Sequence, residues 1–147
     1  MLMPDANVLI GVFRRDDPNH EMLTGWLEAA LAGDETVALT PAVIAGYLRI
    51  ATSPRVFLTP TQTSEALDHI EALRSNESVF EVGPGRRHWE IFAELCRVAA
   101  AKGSLVSDAA HAATAIEHGA TWVTLDRDFA RFPGLDWRVP EAPNASR

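Results

Sequence analysis

Short apolar runs along the chain alternate with stretches whose apolar residues recur every three or four positions, the strand and helix signatures respectively. Leu2-Met3 leads into Asp5 as a short strand, and Val8, Leu9, Val12 and Phe13 follow at helical spacing. Asp17-Pro18 predicts the start of a second helix, with Met22, Leu23, Trp26, Leu27, Ala30 and Leu31 on its apolar face and Gly33-Asp34 at its end. Residues 36–39 read as a buried strand, and Thr40-Pro41 opens a helix to about Ala51. Beyond the proline-punctuated segment 53–60, Thr61 or Thr63 caps a helix to about Arg74. Residues 78–82 predict a third strand, closed by the turn Gly83-Pro84-Gly85. A long helix carrying Trp89, Phe92, Leu95, Cys96 and Ala99 on one face is expected to end at Lys102-Gly103. Another, from about Ser107, stops at Gly119, a residue suited to the position after a helix end. Residues 121–125 predict a fourth strand, 137–139 a short fifth, and 141–147 a disordered tail.

Strands alternating with helices predict an α/β domain: a central, mostly parallel sheet of four to five strands with helices on both faces. The 147 residues suit one domain, placed at 1–140, and are too few for two cores. An apolar content of 47% with no low-complexity tract excludes intrinsic disorder. No apolar run is long enough to span a membrane, and the first residues lack a signal-peptide pattern, so the expected setting is the cytoplasm. The lone Cys96 excludes an internal disulfide framework and a cysteine-based zinc cluster. With Cys96 on an apolar helix face, a core position is expected. His111 and His118 share a helix face, but without a third ligand they predict no zinc site.

A net charge of −7 argues against holding nucleic acid by a broad basic face, yet permits nucleic-acid chemistry where acids gather around a metal. In an open parallel sheet, ligands bind beyond the carboxyl ends of the strands. Asp5 follows the first strand, Asp126 the fourth with Asp128 two residues on, and Asp108 lies near the start of the helix before the fourth. Taken singly, Asp108 reads as a helix cap, and Asp126 with Asp128 as a solvated turn. Taken together they cannot all ionise at one edge without a cation or a raised pKa. Two carboxylates 4 Å apart repel by about 4 kcal/mol at an effective dielectric of ~20. A hard divalent ion is the natural counter-charge, Mg²⁺ best of all because it takes a few carboxylates and keeps several waters.

These blocks resemble a known family. Asp5-Ala6-Asn7-Val8-Leu9, Val106-Ser107-Asp108-Ala109-Ala110-His111-Ala112-Ala113 and Thr124-Leu125-Asp126-Arg127-Asp128-Phe129 are similar to PIN-domain ribonucleases, and more narrowly to VapC-type toxins of bacterial toxin–antitoxin pairs. Tyr47-Leu48-Arg49, Pro84-Gly85-Arg86-Arg87-His88-Trp89 and Phe129-Ala130-Arg131-Phe132-Pro133-Gly134-Leu135 support it, over about residues 2–140. The resemblance implies a metal-dependent endoribonuclease. Asp5 and Asp108 would bind Mg²⁺ (or Mn²⁺) directly, Asp126 directly or through water, and Asp128 would support them from the same edge. It also implies an RNA substrate such as tRNA or rRNA, a VapB-type antitoxin partner and a homodimer.

Asn7 and Thr124 are placed to orient the acids or a metal-bound water, with local hydrogen bonding as the alternative. Eight arginines, Arg14, Arg15, Arg49, Arg55, Arg86, Arg87, Arg127 and Arg131, could supply a basic rim for phosphates, with ordinary solvated side chains as the reading for most of them. Trp26, Trp89, Trp122 and Trp137 read as core or interface anchors, the Trp26 face as a partner surface. One position departs from the family: where its members carry a Glu before the aromatic-Leu-Arg segment, this chain has Gly46. The alternative function is therefore a weakened PIN domain that binds RNA or antitoxin without efficient cleavage. A flavodoxin-like phosphate-binding domain is disfavoured, since no glycine-rich loop follows the first strand.

Overall fold

The computed structural model describes residues 1–143; the last residues of the expected tail, 144–147, lie outside the described residues. The elements run β1 (Leu2–Pro4), α1 (Ala6–Phe13), α2 (His20–Ala32), β2 (Val37–Leu39), α3 (Pro41–Ala51), α4 (Thr63–Arg74), β3 (Val79–Glu81), α5 (His88–Val98), α6 (Ser104–Glu117), β4 (Thr121–Val123), a 3-10 turn (Arg127–Arg131) and β5 (Trp137–Arg138). All five strands are parallel, in the order β3-β2-β1-β4-β5. β1 and β2 are buried on both faces, which explains their unbroken apolar sequence. The edge strand β3 is half open, with Phe80 exposed.

From β1 the chain winds outward to β2 and β3, then returns across the sheet to β4 and β5. Right-handed crossovers carry α1–α4 over one face and α5–α6 over the other. The winding reverses between β1 and β4, so a crevice opens beyond their carboxyl ends. Local chemistry starts the helices that frame it. The Thr40 hydroxyl accepts from Val43 N at 3.1 Å and Pro41 occupies the first turn of α3. Asp5 caps α1 by a shorter route, its side chain accepting from the next backbone N–H, Ala6 N.

Several boundaries differ from expectation. Asp17 accepts from Asn19 N, which holds a turn and delays α2 to His20. α5 ends at Val98, short of Lys102, and α6 begins at Ser104, before Ser107. β4 closes at Val123, and the stretch after it folds into a 3-10 turn. Arg14 leaves the expected basic rim: only 8% exposed, it forks onto Asp16 at 3.0 and 2.7 Å and stacks 3.6 Å over the Phe57 ring. Trp26 is likewise buried in the core, so its helix face is no open partner surface. Trp122 is a core residue and Trp89 an exposed one, while Cys96 packs half-buried against the core. In the tail, Pro143 sits beside Gly25 of α2, close enough that a side chain on Gly25 would touch it.

Candidate active site

β1 delivers Asp5 to the crevice with its backbone N–H bonded to Val123 O of the neighbouring strand at 2.8 Å. Its carboxylate gathers three donors. Oδ1 accepts from Ala6 N at 2.7 Å; Oδ2 accepts from the Thr124 hydroxyl at 2.7 Å and from Asn7 Nδ2 at 3.3 Å. Thr124, fully buried just past β4, spends its one proton on Asp5 and accepts from Asn7 Nδ2 and Asp126 N. Asn7 completes the web by accepting from Leu125 N at 3.2 Å. Every hydrogen in this web has one direction, so β1, α1 and the β4 exit are locked as a unit. Asp126 caps the 3-10 turn, its Oδ1 accepting from Asp128 N at 2.8 Å.

Asp108 reaches the same edge from α6. Because that helix begins at Ser104, Asp108 stands in its second turn and caps nothing, which removes the capping explanation for an acid there. Burial pushes the Asp108 carboxyl up, and the charges of Asp126 and Asp5 push it further; nearby His111 pulls the other way and Asp128 adds a smaller push. Asp5 is raised chiefly by burial, with the Asp126 charge adding to it, against the lowering pull of Thr124 and Ala6. Asp5, Asp108 and Asp126 thus form one electrostatic cluster. Asp128 is exposed at its margin, 3.9 Å from Arg131.

This donor set consists of hard oxygens on carboxylates that repel one another, the chemistry a divalent cation relieves. Among the described residues, no three His, Cys, Asp or Glu side chains converge tightly enough to enclose an ion. Hard carboxylate oxygens of this kind suit a divalent ion that keeps several waters better than a closed cage. Gly46 faces this region. A Cβ built on it would meet only the Ala6 Cβ, at 3.5 Å, so the space beside the α1 cap is open.

Sequence reasoning missed two features around the site. The ring of His111, one turn beyond Asp108, stacks on Trp122 at 5.2 Å, and burial lowers its pKa. Glu117, at the far end of α6, accepts from Gly85 N at 2.7 Å and Arg87 N at 2.8 Å, while His118 Nε2 donates to Gly83 O at 2.8 Å. These contacts join residues some 30 positions apart and carry no periodic signal. The two histidines are committed to separate tasks, His111 to the Trp122 ring and His118 to the Gly83 carbonyl.

A PIN domain family model matches residues 2–135. Ribonuclease VapC43 of Mycobacterium tuberculosis is 40% identical over 140 residues, covering 95% of each chain. Ribonuclease VapC31 of the same organism is 40% identical over 135 residues, covering 92% of this chain and 95% of its own. Among solved structures, VapBC2 from Rickettsia felis, bound to a DNA fragment from its promoter, superposes with a TM-score of 0.72 at 17% identity, over 94% of this chain and 97% of that one.

Proposed function

The chain belongs to the PIN-domain family, and we propose that it is a metal-dependent endoribonuclease, the toxin of a type II toxin–antitoxin pair. The observation that carries this reading is the gathering of Asp5, Asp108 and Asp126 at the reversal point of a parallel sheet, where burial raises the Asp5 and Asp108 carboxyls and the Asp126 charge pushes both further. The similarity to chains named VapC ribonucleases supports the activity, and the similarity to a VapBC complex supports an antitoxin partner.

Divalent-metal dependence is general to the family, and Mg²⁺ is the ion proposed, with Mn²⁺ as a substitute. Asp5 and Asp108 would hold it directly, and Asp126 directly or through water. Such an ion supplies water activation and stabilisation of the leaving oxygen in phosphodiester hydrolysis. Thr124 and Asn7 hold the Asp5 carboxylate in one orientation, so no rotamer freedom is lost when a ligand arrives. Asp126 is steadied by its cap bond, and Asp128 supports the edge from outside. Exposed Arg86, Arg87 and Arg127 are available to RNA phosphates. The setting proposed is the cytoplasm, and no described helix is long and apolar enough to cross a membrane.

Gly46 favours a second reading, a PIN domain that binds RNA or antitoxin with little cleavage. The purified chain should cut RNA in Mg²⁺ or Mn²⁺ and stop in excess EDTA. Cleavage that persists undiminished after chelation and metal-free dialysis overturns the mechanism, while RNA binding without cleavage at saturating metal selects the second reading. Sequencing the new RNA 5′ ends identifies the target.

A further inference from the structure

Next to the carboxylates lies a cleft of about 280 Å³ that none of them lines. Its walls are Ala42 at the start of α3, Pro84 and His88 at the entry to α5, and Ala110, His111 and Thr114 along α6. It opens at the same sheet edge, since Thr40 ends the β2 side of it and His111 is one turn from Asp108. The walls are mainly apolar, and the polar groups among them are rigidly held. The His88 ring stacks on Phe92 with an interplanar angle of 10°, and the His111 ring stacks on Trp122. The Thr114 hydroxyl gives its proton to Ala110 O and stands 3.4 Å from His88 Nδ1. That arrangement puts the hydrogen of a neutral His88 on Nδ1 and leaves Nε2 as an acceptor.

The third wall is clamped. Glu117 and His118 together hold three backbone groups of the loop 83–87, which fixes Pro84 and His88 relative to α6 and leaves Arg86 and Arg87, which stand between those two wall residues in the chain, exposed. Flat apolar walls, fixed rings, an edge acceptor and flanking guanidinium groups match a planar heterocycle carried on a phosphate backbone. The same cations disfavour a basic protein segment.

We propose that this cleft is a nucleobase subsite, which takes one unstacked base of the RNA whose adjoining phosphate lies at the carboxylates. The proposal rests on the ribonuclease reading above. Arg86 and Arg87 contact the backbone, and Glu117 is a positioning residue that acts through the loop.

The test measures binding without catalysis. The Asp5→Asn chain is titrated, in EDTA, against 5′-fluorescein hexaribonucleotides of A, C or U, read by fluorescence anisotropy. At least one pair of affinities should differ by about tenfold. Ala110→Leu, which fills the cleft from a helix position that tolerates leucine, should abolish that difference with the melting temperature little changed. His88→Ala should do the same, and decides the matter if Ala110→Leu does not fold. Glu117→Gln should reduce the discrimination with little change in melting temperature, a loss that a purely structural role would not produce. Equal affinities in the Asp5→Asn chain, or discrimination that survives both cleft variants, would leave the cleft to a protein segment and overturn the proposal. Base-selective binding by a chain that never cleaves RNA in Mg²⁺ would instead sink the ribonuclease reading alone.

Discussion

Asp5 and Asp108 share a site but answer differently to the same substitution. Asp5 accepts three hydrogen bonds, and an asparagine there must turn its amide nitrogen toward at least one donor. Asp108 is held up mainly by burial and by the charges of Asp126 and Asp5, so an asparagine relieves repulsion at no comparable loss. Both changes should slow RNA cleavage at least ~100-fold, about 2.7 kcal/mol of barrier. Thermal melts should separate them: Asp108→Asn above the unsubstituted chain and above Asp5→Asn. Near-normal single-turnover cleavage by either variant means the site is misplaced. Gly46 makes a second residue-scale prediction. A side chain there meets only ordinary contact with Ala6, beside the Asp5 cap, and removing a helix-interior glycine gains about 1 kcal/mol. Gly46→Glu should therefore fold at least as well and tighten Mg²⁺ binding several-fold by calorimetry. Unchanged or weaker metal affinity shows that no acid is missing at that position. Asp5 stood out in the sequence because a charge straight after a buried strand needs a partner, whereas Asp126 drew attention only in combination with the other acids. The direction of the Thr124–Asn7–Asp5 web was not, since it depends on residues 117 and 119 positions apart.

At the scale of elements, α5 and α6 end alike. In each, the second residue past the cap bonds back to the last turn, Ala101 N to Cys96 O and Ala120 N to Ala115 O, both at 2.9 Å. α6 places Gly119 in the left-handed position, at φ 60°; α5 places Ala100 there, at φ 46°. Reading the sequence, a helix stop was expected at the glycine after Lys102, because alanine ordinarily continues a helix. Here the chain accepts an unfavourable Ala100 to turn sharply and start α6 at Ser104, a shift that carries Asp108 out of the first turn. Ala100→Gly should thus stabilise the domain by about 1 kcal/mol, raising the melting temperature by ~2–4 °C, with RNA cleavage unaltered. A fall in melting temperature would mean that the lost alanine methyl packs usefully in the folded state.

For the whole molecule, the alternation of apolar runs was enough to expect a parallel α/β sheet, but not its order. Which strands neighbour one another is decided by crossovers whose partners lie far apart, β1 pairing with β4 through Leu2 and Thr121. Exposure was also hidden: Trp26 and Trp89 lie on similar helical patterns, yet one is 8% exposed and the other 71%. α5 buries only Leu95 fully and leaves Trp89 and Val98 in solvent, beside a groove lined by Ile91, Ile116 and Pro133. A large exposed aromatic next to an apolar groove marks a partner surface. In a dimer formed through α5, each copy bears a net charge of −7, so association works against self-repulsion that ~0.15 M salt screens beyond about 8 Å. Light scattering at tens of micromolar should therefore report a dimer at physiological salt, loosening as salt is lowered. Trp89→Glu should leave a folded monomer, since it removes the aromatic and adds two like charges across a symmetric contact. A dimer that survives Trp89→Glu puts the interface on another face, and a wild-type monomer at every salt concentration removes the second copy altogether.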